Sequence, residues 1–342
     1  MQRILAIGGF STNESESLAA AHIRDLTGKE RPKVCLLSTP SGDWPMLINR
    51  FDSIYGKLGC ETSNVAFFGG AGAHCIRPDD AAAHLMLQDA IFVSGGNPCC
   101  AVALWREWGL DAALKEAWEH GVLLSGMSAG AICWFEHHVP PPEHRSFPLQ
   151  RCLGLLPGNC EVHYHAGDGS RRQKAWETMQ MLALSSALAI DDDAAVLYEE
   201  GSIAEVFSWR EGATAYQLEN QSDGVIERAL VPKVAGSISP KPERQPVPLA
   251  LELKQASVGR YQLMSPMQVL ITIEGEQLFA QYGQQPKCEI FPESEDQFFW
   301  KAVDAQVTFE RDHDGNVTSL VHHQNGSDAR GEKLEEQSGN EL

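Results

Sequence analysis

The stretch Gly121–Phe135, "GVLLSGMSAGAICWF", decides how this chain folds. An apolar run, "GVLLS", stops in small residues, and a second apolar run follows at once. The pattern predicts a β-strand that turns sharply into a helix, with Ser128 at the turn. Gly126-Met-Ser-Ala-Gly130 fits G-x-S-x-G, a motif whose physics is steric. The serine backbone is strained so that its hydroxyl projects above the sheet, and the flanking glycines let neighbouring backbone come close. Oriented N–H groups at the start of the following helix favour a developing oxyanion. The competing reading is a small-residue junction where two elements simply pack closely.

Working outward, the same alternation recurs. "RILAIGG" (Arg3–Gly9), "KVCLLST" (Lys33–Thr39), "NVAFFGG" (Asn64–Gly70) and "AIFVSGG" (Ala90–Gly96) read as strands buried on both faces. Helical segments fall between them, over Glu14–Thr27, Asp43–Leu58, Asp79–Leu87 and Cys100–Trp118. Alternating β and α elements imply an α/β fold, a doubly wound and mostly parallel sheet with flanking helices. Later strands follow in "ALAIDDDAAVLYEE", "IAEVFSW" and "ATAYQLE", which carries the first domain over residues 1–234. The proline-rich run "SISPKPERQPVPLA" marks a linker, 235–248. Runs with aromatic and β-branched residues, separated by hairpin turns such as "IEGEQ" and "DHDGN", predict a small antiparallel β domain over 249–331. A polar tail, 332–342, follows.

Composition narrows the function. The chain has 342 residues, 43% of them hydrophobic and 21% charged, as soluble globular proteins do. A net charge of −19 without basic clusters excludes nucleic acid as a partner. A site for an acidic substrate must then supply its own positive charge. No apolar run reaches membrane-spanning length, and the amino terminus lacks the pattern of a signal peptide. Nine scattered cysteines with no C-x-x-C pattern predict reduced thiols in the cytoplasm and no metal site or cofactor.

Two further segments bear on Ser128. "FVSGGN" (Phe92–Asn97) ends the preceding strand, so it emerges at the same carboxyl edge of a parallel sheet, where ligands bind. The N–H of Gly96, with that of Ala129, would make a two-donor oxyanion hole; the alternative is that "GGN" is only a turn. A serine hydroxyl needs a general base. "CEVHYH" offers His163 and His165 on one face of a strand, one as the base, with a two-histidine metal site as the weaker reading.

"FVSGGNPCCAVALWREWGLDAALKEAWEHGVLLSGMSAGAICWF", "CLGLLPGNCEVHYHAGDGSRR" and "LAIDDDAAVLYEEGSIAEVFS" together resemble the peptidase E family of serine hydrolases. Its members share the class I glutamine amidotransferase-like fold and include aspartyl dipeptidases and cyanophycinases. The resemblance implies Ser128 as nucleophile, His163 as catalytic histidine, and Gly96 and Ala129 as oxyanion donors. It also implies Asn97, Arg171 and Arg172 as substrate-binding positions, an arginine clamping a substrate carboxylate. Many members carry the triad's acid in a Thr-Asp-Ser-like stretch between nucleophile and histidine. Here Pro140–Pro142 occupy its place in "FEHHVPPPEHRSFPL". Glu143, fifteen residues after the serine, is the expected acid; Glu136 is second, and Asp191–Asp193 are read as structural. Loss of the acid would leave a binding protein with a relic site.

The carboxyl-terminal pieces "VGRYQL", "LFAQYGQQPKCEIFPESEDQFFWKAVDAQVTF" and "VTSLVHHQNG" resemble a β barrel-like domain of unknown function appended to beta-lactamase-like serine hydrolases. His322-His323 within it read as a surface pair near a turn. The resulting expectation is a serine peptidase cleaving a short peptide through an acyl-enzyme, with an amino-terminal aspartate as the preferred residue. Cyanophycinase-like cleavage of β-aspartyl-arginine bonds is the second reading. Glutamine amidotransferase chemistry is disfavoured, because it needs a cysteine where this chain has Ser128. The expected partner is a small peptide; a homodimer is left open.

Overall fold

Four-residue and five-residue apolar runs such as Ile4–Ile7, wholly inaccessible to solvent, build the central sheet. A computed structural model describes residues 1–68, 75–138, 150–167, 169–236, 244–263, 268–283, 287–301, 305–324 and 327–334. The chain divides into two units, Met1–Pro240 and Lys241–Leu342.

The first unit begins β1 (Arg3–Ile7), α1 (Asn13–Leu26), β2 (Lys33–Leu37), α2 (Pro45–Lys57), β3 (Glu61–Val65), β4 (Cys75–Ile76) and α3 (Pro78–Leu85). It continues with β5 (Ala90–Val93), α4 (Pro98–Glu107), α5 (Leu110–Glu119), β6 (Leu123–Met127) and α6 (Ala129–Ile132). Then come β7 (Phe135–His138), β8 (Gln150–Arg151), β9 (Leu156–Val162), α7 (Ser170–Met181) and β10 (Ser186–Ile190). It ends with β11 (Ala194–Glu199), β12 (Ser202–Ser208), β13 (Ala215–Gln221), β14 (Gly224–Ala229) and β15 (Lys233–Val234).

Among the described residues these strands form two sheets. The larger runs β15-β12-β11-β1-β6-β5-β2-β3-β4, parallel from β1 outward through β4, with β11 and β12 antiparallel. The smaller runs β14-β13-β10-β9-β7-β8, and its β9 lies parallel to both β10 and β7. The α/β character expected from the alternation is present, but the strands after β6 do not all extend one sheet. The chain passes to the smaller sheet after α6 and returns to the larger one at Asp191–Asp193, between β10 and β11. Asp193 takes a left-handed φ of 65° to make that change.

Two local expectations are revised. The segment read as one helix over Cys100–Trp118 is two, because Gly109 at φ 72° interrupts the hydrogen-bond ladder between α4 and α5. "CEVHYH" does not continue as a strand: β9 stops at Val162, and His163 turns out at φ 54°.

The second unit holds a short helix, Leu251–Ala256, and a closed antiparallel barrel of eight strands. Its first strand, Gly259–Gln262, pairs with its last, Ser327–Lys333, so neither edge is left open. Tyr261, Phe298 and Phe309 are fully buried at its centre. His322 and His323 are not a loose surface pair. They lie within the strand Val317–Gln324, His322 bonded to Tyr282 Oη (2.6 Å) and His323 to Thr308 Oγ1 (2.9 Å). Among the described residues no helix is long and apolar enough to cross a membrane.

Candidate active site

Ser128 follows directly from the end of β6 with φ 56° and ψ −115°, a conformation sparsely populated by non-glycine residues. Two glycines make the turn fit. A Cβ on Gly126 would overlap the Gly130 carbonyl, and one on Gly130 would overlap the Val93 carbonyl of β5. Ser128 N–H donates to Ile7 O of β1 at 3.0 Å, which ties the strained residue to that neighbouring strand. Left-handed backbone of this kind costs about 1–3 kcal/mol, offset by the packing around it. The helix behind it, α6, is a single turn, so any stabilisation of an anion rests on individual N–H groups rather than on a long dipole.

Gly96 and Ala129 line the same cavity as Ser128. Ala129 is the first residue of α6, so its N–H has no intrahelical acceptor. Gly96 adopts φ 135°, and a Cβ there would overlap the Pro40 carbonyl, so a side chain is excluded. Asn97 N–H donates to that carbonyl at 2.8 Å, and Asn97 Oδ1 caps α4 by accepting from Cys100 N–H at 3.0 Å. Asn97 therefore has a structural duty besides its place on the cavity wall.

His163 Nε2 lies 2.8 Å from Ser128 Oγ. Its other nitrogen, Nδ1, is 2.5 Å from Asp192 Oδ1. An ionised carboxylate only accepts, so this contact puts the proton on Nδ1 and leaves Nε2 to accept from the serine hydroxyl. The carboxylate at Nδ1 is Asp192, from the "IDDD" segment read as structural. Glu143, expected in that role, lies outside the described residues. Glu136 accepts from Gly158 N–H at 2.8 Å, a tie between β7 and β9.

The three aspartates have three separate tasks. Asp191 accepts from His165 Nδ1 (2.8 Å) and from Thr214 N–H (3.1 Å), which turns His165 away into its own pair. Asp193, fully buried, accepts from Ser11 N–H and from Arg210 Nε, both at 2.8 Å. Both neighbours hold the turn in place, and Asp192 between them faces His163. Gly8 and Gly9, which follow β1, close against this turn. A Cβ on Gly9 would overlap both Asp192 Oδ1 and the His163 ring, and one on Gly8 would overlap the Asp191 carbonyl. Sequence reading had a signal here: three consecutive acids end a buried strand at the edge where Ser128 emerges. That segment is read from sequence as structural, because the acid is sought between the serine and the histidine.

The site opens into a cavity of about 960 Å³. Arg106, Arg151, Arg171 and Lys174 line it, and Glu161 is the one carboxylate among the described residues of its wall. Burial pushes the Glu161 carboxyl up to about 7, against the opposing pull of Arg171. Burial likewise depresses His138, also on the wall, to about 4, so it is neutral at physiological pH. Arg172 does not face this cavity: it pairs with Glu227 at 2.8 Å and stacks over Trp176. Cys133, the thiol nearest the serine in sequence, is fully buried and bonded to Gly130 O, and burial pushes its pKa well above the usual thiol value. Such a thiol is a poor nucleophile.

The model of "Peptidase family S51" matches residues 4–206. The chain belongs to peptidase family S51. The uncharacterized peptidase YgaJ of Bacillus subtilis (strain 168) is 34% identical to this S51 chain over 238 residues, 69% of this chain and 100% of the relative. Among solved structures, a peptidase from an acI-B1 Actinobacterium matches with a TM-score of 0.47 and 16% identity, over 68% of this chain and 95% of that one. A putative peptidase E protein from Listeria monocytogenes EGD-e gives a TM-score of 0.47 and 13% identity, over 61% and 98%. The match to S51 ends before the second unit, where a "Domain of unknown function (DUF3471)" matches residues 243–336.

Proposed function

We propose that this S51 member is a serine peptidase that cleaves a short peptide through an acyl-enzyme and prefers an acidic amino-terminal residue. The observation that carries the reading is the unbroken hydrogen-bonded line from Ser128 Oγ through His163 to Asp192, opening on a cationic cavity. In this reading His163 Nε2 takes the hydroxyl proton as Ser128 attacks the scissile carbonyl. Gly96 N–H and Ala129 N–H hold the oxyanion, and the imidazolium then protonates the leaving amine. A water molecule repeats the sequence on the ester and frees the enzyme. Arg171 supplies positive charge for an acidic side chain in a protein whose net charge is −19.

A fluorophosphonate probe tests the nucleophile. Covalent labelling mapped to Ser128 is the expected result; an unlabelled Ser128 in folded protein counts against the proposal. Release of amino acid from a panel of Asp-X dipeptides, set beside release from β-aspartyl-arginine polymer, separates the dipeptidase from the cyanophycinase reading.

A third residue follows from the packing. Gly9→Ala places a methyl group on the Asp192–His163 contact, and a shift near 1 Å at a reacting group costs on the order of 10²-fold in rate. The expected result is a kcat lowered by about that factor with KM little changed. Steady-state kinetics check it, and an unchanged kcat removes Gly9 from the positioning of the site.

A further inference from the structure

Glu161 is anomalous in its surroundings. Every charged neighbour on the described cavity wall is a cation, yet its carboxylate makes no hydrogen bond or ion pair with any described residue. Arg171 is near enough to act on it electrostatically, but no ion pair joins them. A half-buried carboxylate left without a partner costs free energy, so its retention in the fold calls for a partner that arrives from outside. Such a group in a cavity is best satisfied by a cation that can also donate hydrogen bonds.

The position of Glu161 selects which cation. It stands two residues before His163, so their Cα atoms are no more than about 7 Å apart, and both residues line the cavity. In a peptide cut after its first residue, the α-nitrogen lies two bonds, about 2.5 Å, from the carbonyl carbon that Ser128 would attack. The amino group must therefore sit close to the His163–Ser128 pair. The surrounding arginines and lysine would repel it there, and Glu161 supplies the opposite sign locally.

We infer that Glu161 binds the α-ammonium group of the substrate and makes the site selective for peptides with a free amino terminus. This rests on the serine-peptidase reading above. Glu161 is a specificity-determining residue in it, and Arg171 and Glu161 divide the first residue between them, acid to one and amine to the other. The raised pKa agrees with this, because an ammonium ion would restore the charged form that burial disfavours.

The test is a ratio of kcat/KM values for aspartyl-p-nitroanilide and its N-acetyl derivative. Wild type is expected to favour the free amine by at least about 10²-fold, and Glu161→Gln to bring the ratio within about 10-fold of unity. Both substrates meet the same preparation, so partial unfolding cancels from the ratio. Glu161→Asp, which keeps the charge, is expected to retain more discrimination than Glu161→Gln. A Glu161→Gln ratio equal to wild type overturns the assignment. If Ser128 takes the fluorophosphonate label in that case, the peptidase reading stands and the Glu161 role alone falls; no labelling removes both.

Discussion

Ser128→Ala is expected to lower kcat by about 10⁶-fold, the scale seen when a serine hydrolase loses its nucleophile. The substitution deletes one oxygen from a turn held by other atoms. Ser128 N–H still donates to Ile7 O, and Gly126 and Gly130 still close against Val93 and each other. The thermal unfolding midpoint should therefore stay close to wild type. What disappears is the proton that His163 Nε2 would accept and the atom that would carry the acyl group. The Gly96 and Ala129 N–H groups proposed to hold the oxyanion and the cationic cavity remain, so substrate should still bind, and KM or an inhibition constant for a product should change little. Residual turnover within tenfold of wild type would place the chemistry on another residue.

Asp192→Asn is expected to cost about 10⁴-fold in kcat, again with KM little affected. The reason lies in the tautomer. An amide can turn its NH₂ toward Nδ1, which moves the ring proton to Nε2 and leaves no acceptor for the serine hydroxyl. The fold should survive, because Asp191 and Asp193 on either side carry the bonds that pin the turn. The informative control is Glu143→Gln, since Glu143 was the acid expected from sequence. With Nδ1 engaged by Asp192, the Glu143 variant is expected to keep most of its activity. The reverse pattern, a tolerant Asp192→Asn and a damaging Glu143→Gln, would return the acid to the proline-rich loop. Both outcomes are read from kcat at fixed pH, with unfolding midpoints measured alongside.

These two carboxylates show where sequence reasoning is strong and where it stops. The turn at Ser128 is legible because its signal is local. A buried strand, a small-residue turn and an apolar continuation lie within fifteen residues, and the steric need for Gly126 and Gly130 is written beside the serine. Gly96 is legible for the same reason, as a glycine at the end of a strand. The broken helix is a near miss of the same local kind: Gly109 was in plain view inside an otherwise helical pattern, and its left-handed φ ended α4. The role of Gly9 was not legible. Nothing in "AIGGF" reveals that its missing side chain faces a histidine more than 150 positions along the chain.

The amino-acid sequence by itself determined the alternation of strands and helices, the strained turn at Ser128, the change to a β barrel beyond the linker and the membership in a peptidase family. All of these depend on residues close together in the chain, where sterics and hydrophobic periodicity act directly. The tertiary structure alone decided which carboxylate meets His163, which arginine faces the cavity and that Glu161 stands there without a partner. Ser128 comes from one sheet, while His163 and Asp192 leave the ends of two parallel strands of the other, and Gly9 closes the seam between them. A contact of that kind depends on how two sheets meet, because hydrogen-bond distance is a condition on space, and no spacing along the chain encodes it.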